Sequence, residues 1–285
     1  MADSVSPPPR SLLKQALALA PSEDGLGLMM DPAFSNAPEA LPADKGFPFG
    51  GLLAALCAQA MRQGLEIEAP LQTLSVQYLA AARYGEELVF RPRMLRKGRL
   101  ITYAAVEASQ GERLTHSASA TFGNNADGPA LHDRQIVPPA LDSVPEGPGM
   151  VGPMAPRFAS QVEYRFETSP KIMGGNIAKA RVERCWMRMR DGDPLDEVRL
   201  CYLLDALYPP SWTGFKVPPQ MTSVDLRYDF LSPPTPQNAP DGWAFFEYSL
   251  IQHEGGWAVD DATAWGVDGT VLATSRQRRK VISRG

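Results

Sequence analysis

The first half of the chain shows a helical pattern followed by a series of strand patterns. Apolar side chains at Leu52, Leu53, Leu56 and Ala60 share one stripe of a predicted helix over 51–62. Lys-Gly and Gln-Gly turn pairs then separate β-type segments rich in branched and aromatic residues. These segments predict four antiparallel strands over 71–82, 87–98, 99–111 and 112–122.

The second half repeats this order. A helix is predicted from Leu195 to Leu207, with Asp193 and Pro194 as its cap and first helical residue. Strand patterns follow over 221–231, 243–255, 256–269 and 270–282, the last two meeting at an Asp-Gly hairpin signal. The apolar strings 52–56 and 203–207 are similar, and their alignment places Asp205 opposite Ala54.

The recurrence of helix, strands and hairpin in one order predicts two structural repeats and an α+β fold. One repeat alone has a small core and an exposed sheet edge, so two copies are expected to join into one longer sheet carrying two helices. Seven prolines between residues 124 and 157 predict a linker between the repeats. The predicted division is an N-terminal extension (1–23), a first repeat (24–125), a linker (126–157) and a second repeat (158–285).

Composition and charge narrow the class of protein. Of the 285 residues 44 % are apolar and 21 % charged, which is ordinary for a packed protein. A net charge of −4 and a pI near 5.5 argue against a nucleic-acid partner. No apolar run approaches the ~20 residues of a membrane helix, and no signal-peptide pattern opens the chain. Three cysteines without metal-ligand spacing suit reduced thiols. A soluble, cytoplasmic protein without a membrane partner is therefore expected.

The candidate site consists of polar residues that lie within an apolar helical pattern or in predicted strands. Asp205 lies within an apolar helical pattern, where burial is costly unless the carboxylate is hydrogen-bonded or used. Ser223, with Thr222 beside it, opens a central strand, and Gln277 lies in the last strand. A carboxylate, a hydroxyl and a carboxamide can together hold a water, and the carboxylate can take its proton. The alternatives are a solvent-facing Asp at a helix end, a common strand-start hydroxyl and a solvated Gln.

Gly50 and Gly51 open the first helix. Free N–H groups at a helix start can receive an oxyanion, aided by the helix dipole. The alternative is that glycine permits close packing or an unusual turn there.

These residues, taken in order, resemble a known family. Phe49-Gly50-Gly51, Asp205, Ser223-Val224-Asp225 and the string Leu272–Gln277 are similar to the type II acyl-CoA thioesterases, which have a double hotdog fold. The resemblance spans roughly residues 24 to 283. It implies that Asp205, Ser223 and Gln277 activate a water for attack on a thioester, with Gly51 as oxyanion donor. Thr is usual where Ser223 stands, so Thr222 is a second candidate for the hydroxyl.

The resemblance implies an acyl-CoA substrate and neither metal nor organic cofactor. The candidate cations for the phosphates of the coenzyme lie in one or the other of two clusters, although charge protection of a sheet edge is the favoured interpretation of each. The first cluster is Arg96, Lys97 and Arg99, and the second is Arg276, Arg278 and Lys280. The free face of the sheet predicts a homodimer or a higher homo-oligomer.

Other chemistries have less support in the sequence. There is no G-x-S-x-G nucleophile motif. Cys201 is expected in the core, because none of His116, His132 and His253 falls beside it. Two alternatives stay open. One is hydration or dehydration of an acyl thioester, and the other is acyl-thioester binding without catalysis.

Overall fold

One sheet of 12 strands, all paired antiparallel, organises the computed structural model of the chain. The structure describes residues 12–126, 128, 131, 136–147, 149–150, 152–174 and 177–282. The first-half strands are β1 (Ala20–Ser22), β2 (Gly25–Met29), β3 (Leu71–Tyr78), β4 (Glu87–Lys97), β5 (Ile101–Gln110) and β6 (Arg113–Gly123). The second-half strands are β7 (Val162–Phe166), β8 (Val182–Met189), β9 (Met221–Phe230), β10 (Ala244–Glu254), β11 (Trp257–Trp265) and β12 (Val271–Val281).

The strand order shows the repeat directly. It runs β1-β2-β4-β5-β6-β3-β9-β12-β11-β10-β8-β7, so the two halves contribute matching sets of strands in mirrored order. Strands β3 and β9 meet at the centre, where Thr73 pairs with Asp229 and Gln77 with Asp225. The expectation that two copies join into one longer sheet is confirmed.

Two helices lie against the inner face of this sheet. The α-helices are α1 (Leu12–Ala16), α2 (Gly50–Gly64) and α3 (Glu197–Leu203). Short 3-10 helices cover Pro32–Phe34, Ala43–Lys45, Leu141–Ser143, Arg157–Gln161, Lys171–Gly174, Pro210–Gly214 and Pro240–Gly242. Helix α2 is buried on most of its circumference because it packs both on the first-half strands and on α3. None of the helices in the described ranges is long and apolar enough to cross a membrane.

The second helix differs from its prediction at both ends. It begins at Glu197, and its N-cap is Asp196, whose carboxylate accepts from the Arg199 N–H at 2.7 Å. It ends at Leu203, so Asp205 lies beyond the helix and not inside it. Counting from the two helix starts, Asp205 corresponds to Ala58, one turn from the predicted partner Ala54.

Four strands were not predicted. β1 and β2 edge the first half, and β7 and β8 edge the second. The β1–β2 hairpin spans the predicted boundary between extension and first repeat, and Leu13 and Ala16 of α1 are buried in the main core.

Part of the predicted linker packs on the outer face of the second half. Val144 joins a separate apolar cluster with Trp186, Trp243, Phe245 and Trp265. The Trp186 indole N–H donates to the Pro139 carbonyl at 3.1 Å. Linker residues 127, 129–130, 132–135, 148 and 151, and residues 1–11, lie outside the described ranges. The division of the chain into domains stays a prediction.

Candidate active site

Asp205 is held rigidly just beyond the end of α3. Its backbone N–H donates to the Tyr202 carbonyl at 3.2 Å, and the Ala206 N–H donates to the Leu203 carbonyl at 3.2 Å. These tighter bonds close the last turn of the helix, and Pro209 and Pro210 prevent its continuation. Asp205 is only 6 % exposed, so its carboxylate lies inside the protein.

Hydroxyl groups of the sheet fix the end of α3. The last carbonyls of a helix lack partners within the helix and need others when they are buried. Sheet side chains supply them: Tyr228 donates to the Cys201 carbonyl (2.9 Å), Tyr248 to Leu203, Ser275 to Leu204 (3.2 Å) and Tyr164 to Ala206 (2.8 Å). The position of Asp205 is thus set by the second-half sheet.

The carboxylate of Asp205 faces the N-terminus of α2. The backbone N–H of Gly51 hydrogen-bonds to it. A Cβ on Gly50 would lie 2.9 Å from Asp205 Oδ2, which shows how closely the two segments approach. The Tyr78 hydroxyl donates to the Gly50 carbonyl at 2.8 Å and fixes the first turn of α2. The Gly51 N–H, predicted to bind an oxyanion, is therefore directed at Asp205 in this structure.

Gln277 and Ser223 lie beside Asp205. The Gln277 carboxamide Nε2 donates to Ser223 Oγ at 2.7 Å, and the side chain also hydrogen-bonds to Asp205. Thr222 is exposed, and its hydroxyl lies 3.5 Å from the Ser223 carbonyl oxygen. The structure thus brings three of the predicted side chains together and leaves Thr222 outside the group.

A β-bulge decides which hydroxyl faces inward. β9 and β12 pair Asp225 with Arg278 and Ser223 with Arg279, so Val224 is the extra residue. A bulge shifts the alternation of side chains by one position. It turns Ser223 to the inner face and Thr222 to the outer face.

Burial raises the pKa of Asp205 to about 6. The charge of Arg279, the hydrogen bond from Gln277 and the N–H of Gly51 oppose this rise, while Asp260 adds to it. A carboxyl with a pKa near 6 is ionised at neutral pH and still accepts a proton readily, which suits a general base.

Arg279 and Asp260 also belong to this group of side chains, although the sequence pattern does not single them out. Arg279 Nε donates to Asp260 Oδ2 at 2.7 Å; Asp260 is buried, and the Arg279 side chain is 13 % exposed. Arg279 Nη2 also donates to Gln277 Oε1 and lies 3.7 Å from Asp205 Oδ1. The alternation of side chains along β12 could have indicated Arg279. Ser275, Gln277 and Arg279 are every second residue of one strand, so their side chains share one face of the sheet.

The first repeat serves as an internal comparison. Its β3–β6 pair has a bulge at the corresponding point, with Gln72 as the extra residue. We aligned the two halves at these bulges and followed the residue pairs from strand to strand. Each polar residue of the site in the second half then corresponds to a buried apolar residue in the first. The matches are Leu71 for Ser223, Ala120 for Gln277, Phe122 for Arg279 and Ala104 for Asp260. The polar network is therefore built in the second half alone.

Comparison with protein families agrees with the fold and with the repeat. Residues 38–123 match the family model of the acyl-CoA thioesterase N-terminal domain, and residues 138–278 match that of the C-terminal domain. The chain belongs to the acyl-CoA thioesterase family. A search of curated proteins found no match.

Solved structures share the fold of this acyl-CoA thioesterase family member over nearly its whole length. A protein of unknown function with a hotdog fold from Alicyclobacillus acidocaldarius is 19 % identical, with a TM-score of 0.81 and coverage of 96 % of this chain and 98 % of that one. An acyl-CoA thioesterase II from Mycobacterium marinum is 18 % identical, with a TM-score of 0.72 and coverage of 96 % and 99 %. The predicted double hotdog α+β fold is confirmed.

Among the described residues of this family member, the other candidate nucleophiles and bases have no hydrogen bond or ion pair with Asp205. Cys201 is fully buried, as expected for a core residue, and burial raises the pKa of its thiol. His116 is buried on β6, and burial lowers its pKa to about 3. His253 lies on β10 against the ring of Phe215, and His132 lies outside the described residues.

The two cation clusters lie on different parts of the sheet. Arg276 pairs with Asp261 at 2.7 Å. Arg278 and Lys280 flank the ring of Trp257 on the outer face. The other cluster, Arg96, Lys97 and Arg99, is exposed at the turn between β4 and β5. Neither cluster contacts Asp205, so a role with coenzyme phosphates stays a prediction.

Proposed function

We propose that the protein hydrolyses an acyl-CoA thioester to a carboxylic acid and coenzyme A, with Asp205 as general base. The observation that carries this proposal is the buried Asp205 carboxylate, hydrogen-bonded to a carboxamide that itself holds the Ser223 hydroxyl. Family membership supports thioesterase activity in general. The finer assignment rests on the arrangement of these groups.

The proposed reaction uses only groups of this chain. Asp205, Ser223 and Gln277 hold a water, whose oxygen attacks the thioester carbonyl carbon as its proton passes to Asp205. The tetrahedral intermediate expels the coenzyme thiolate, which takes the proton back from Asp205. Protonated Asp205 accepts more weakly from the Gly51 N–H, which frees that donor for the developing oxyanion. No metal or organic cofactor enters these steps.

A panel of substrates tests the reaction class. Thiol release is measured from short, medium, long and aromatic acyl-CoAs, together with enoyl-CoA absorbance. We expect equal amounts of thiol and carboxylic acid from at least one member. A change in enoyl-CoA absorbance without thiol would instead show hydration or dehydration. Tight acyl-CoA binding without either product would show a non-catalytic binding protein. A cytoplasmic location and a homo-oligomeric state stay predictions.

The pH dependence of catalysis follows from Asp205. The base works only when ionised, and its pKa is about 6. We expect kcat/KM to fall about tenfold for each pH unit below 6 and to level off above 7. The measurement is kcat/KM from pH 4.5 to 8.5, with circular dichroism to show that the protein stays folded. A flat profile between pH 5 and 7 would contradict this assignment.

The two neighbouring hydroxyls give a matched pair of variants. Ser223→Ala removes the group that Gln277 contacts at 2.7 Å, so we expect kcat to fall about 10- to 100-fold. Thr222→Ala changes an exposed side chain and should keep kcat within about twofold. Steady-state kinetics on both variants are the test, and the reverse order of effects would assign the role to Thr222.

A further inference from the structure

A mostly buried ion pair between Arg279 and Asp260 lies beside the proposed base. Arg279 and Asp260 side chains are 13 % and 5 % exposed, and Arg279 Nε lies 2.7 Å from Asp260 Oδ2. The same guanidinium contacts Gln277 Oε1 and lies 3.7 Å from Asp205 Oδ1. It therefore touches both the proposed base and the side chain that orients it.

We propose that Arg279, anchored by Asp260, is a positioning residue of this site, which fixes the Gln277 carboxamide and keeps the Asp205 carboxylate ionised. This inference rests on the proposed function. It assigns roles to two residues that touch neither water nor substrate in the proposed reaction.

The orientation of Gln277 follows from donor and acceptor chemistry. A guanidinium carries donors and no acceptor, so it can pair only with the oxygen of a carboxamide. With Oε1 occupied by Arg279, the Nε2 end faces Ser223 and Asp205. A flipped carboxamide would put its NH2 group against the guanidinium and its oxygen against the carboxylate. Asp260 prevents Arg279 from turning away.

The charge of Arg279 acts on Asp205 from β12. Burial favours the neutral acid at Asp205, and the Arg279 guanidinium opposes that effect. The other ionisable groups around Asp205 are Asp260 on β11, Tyr78 on β3, Tyr202 on α3, Tyr228 on β9 and Tyr248 on β10. Burial raises the pKa of each tyrosine, so these phenols stay neutral. Burial also raises the pKa of Asp260, which Arg279 opposes, and Asp260 in turn raises the pKa of Asp205. Loss of Arg279 should therefore raise the pKa of Asp205 further.

The fold itself does not require this ion pair. At the matching positions the first repeat has Phe122 and Ala104, both fully buried. Replacing both partners of a buried ion pair by apolar residues is often neutral or stabilising. If the ion pair served stability alone, an apolar pair such as that of the first repeat could take its place.

The test is the double variant Arg279→Met/Asp260→Ala. We expect a melting temperature equal to or above that of wild type, with kcat at pH 7 reduced at least about tenfold. The acid limb of kcat/KM and the pKa of Asp205, measured by 13C NMR of the labelled carboxyl, should both rise, because Arg279 lowers that pKa more than Asp260 raises it. The control is Arg227→Met/Asp229→Ala, which removes an exposed ion pair on β9 at 2.7 Å and should change none of these values.

A second variant separates orientation from charge. Arg279→Lys keeps the positive charge but loses the planar fork, so kcat should fall while the pKa of Asp205 stays within about half a unit of wild type. This variant also decides the question should the double variant not fold. Wild-type kcat and an unchanged Asp205 titration, in the double variant or in Arg279→Met alone, would overturn the proposal. Absence of thiol release by wild type would instead overturn the proposed function, and the NMR titration would still report on Arg279.

Discussion

Asp205→Asn is expected to lower kcat for acyl-CoA hydrolysis by about 10³-fold. The asparagine keeps the shape of the side chain but cannot take a proton from water, and general-base catalysis contributes about 10²- to 10⁴-fold. The measurement is steady-state thiol release at pH 7.5 on the best substrate of the panel. Wild-type turnover in this variant would remove Asp205 from the mechanism.

The same variant should be at least as stable as wild type at high pH. The pKa of Asp205 in the folded protein is about 6, against an ordinary value of 3.8, so folding favours the protonated acid. The stability that this preference provides is fully present below about pH 4 and is lost as pH rises through 6, an effect of up to about 3 kcal/mol. We therefore expect Asp205→Asn to gain about 1–3 kcal/mol over wild type at pH 8 and little at pH 4.5. Chemical denaturation at the two pH values measures this difference, and a loss of folding at pH 8 would show that the variant's inactivity has a structural cause.

Gly51→Ala is expected to destabilise the protein by about 2 kcal/mol, through overpacking at the start of α2. A Cβ there would lie 2.6 Å from the Phe49 ring and 2.9 Å from the Tyr202 carbonyl oxygen. The Phe49 ring is stacked on Phe158 with 3.9 Å between ring centroids, and the carbonyl is backbone, so neither neighbour moves easily. Urea denaturation gives the change in the free energy of unfolding. A variant as stable as wild type would show that the α2–α3 contact is looser than described.

Gly50→Ala is the matched comparison. Its Cβ would meet the ends of two side chains, Asp205 Oδ2 at 2.9 Å and the Tyr78 hydroxyl at 3.4 Å. These atoms can shift, and alanine favours a helix more than glycine does, so stability should stay within about 1 kcal/mol of wild type. Displacement of the carboxylate should lower kcat about tenfold or more. The two glycines should thus separate loss of stability from loss of catalysis, and equal effects on both properties would contradict this account.

The order of helices and strands could be predicted from the sequence because most elements bury one face and repeat their pattern. The four missed strands lie at the two edges of the sheet, where the pattern is short or interrupted. β1 has three residues, and β2 alternates leucine with glycine. β7 alternates cleanly, with Val162, Tyr164 and Phe166 inward, but it is short and follows the proline-rich linker. β7 pairs with β8, but the sequence of the loop between them does not predict that the two segments pair.

The grouping of side chains at the candidate site can be predicted in part, because polar residues at apolar positions are visible in the sequence. Asp205 and Gln277 stand out in this way, but the choice between Ser223 and Thr222 does not follow from the pattern. Counting back from the buried residues Leu226 and Tyr228 in steps of two would place Thr222 inward. The bulge at Val224 reverses that assignment, and a bulge depends on pairing with β12, which is distant in the chain.

The ion pair behind the site was missed for a similar reason. Arg279 stands in a run of basic residues that is typical of an exposed edge strand, although β12 lies between β9 and β11. Asp260 reaches it because β11 pairs Asp260 with Gln277. Only the pairing of β11 with β12 places this carboxylate beside the guanidinium.

The most direct test of the central claim compares two pH titrations of the same wild-type protein. One is kcat/KM for acyl-CoA hydrolysis, and the other is the 13C chemical shift of the Asp205 carboxyl, assigned with Asp205→Asn. With Asp205 as the base, both titrations should report the same pKa, near 6. An Asp205 carboxyl that titrates near its ordinary value, or an acid limb that does not coincide with it, would contradict the assignment of Asp205 as the base.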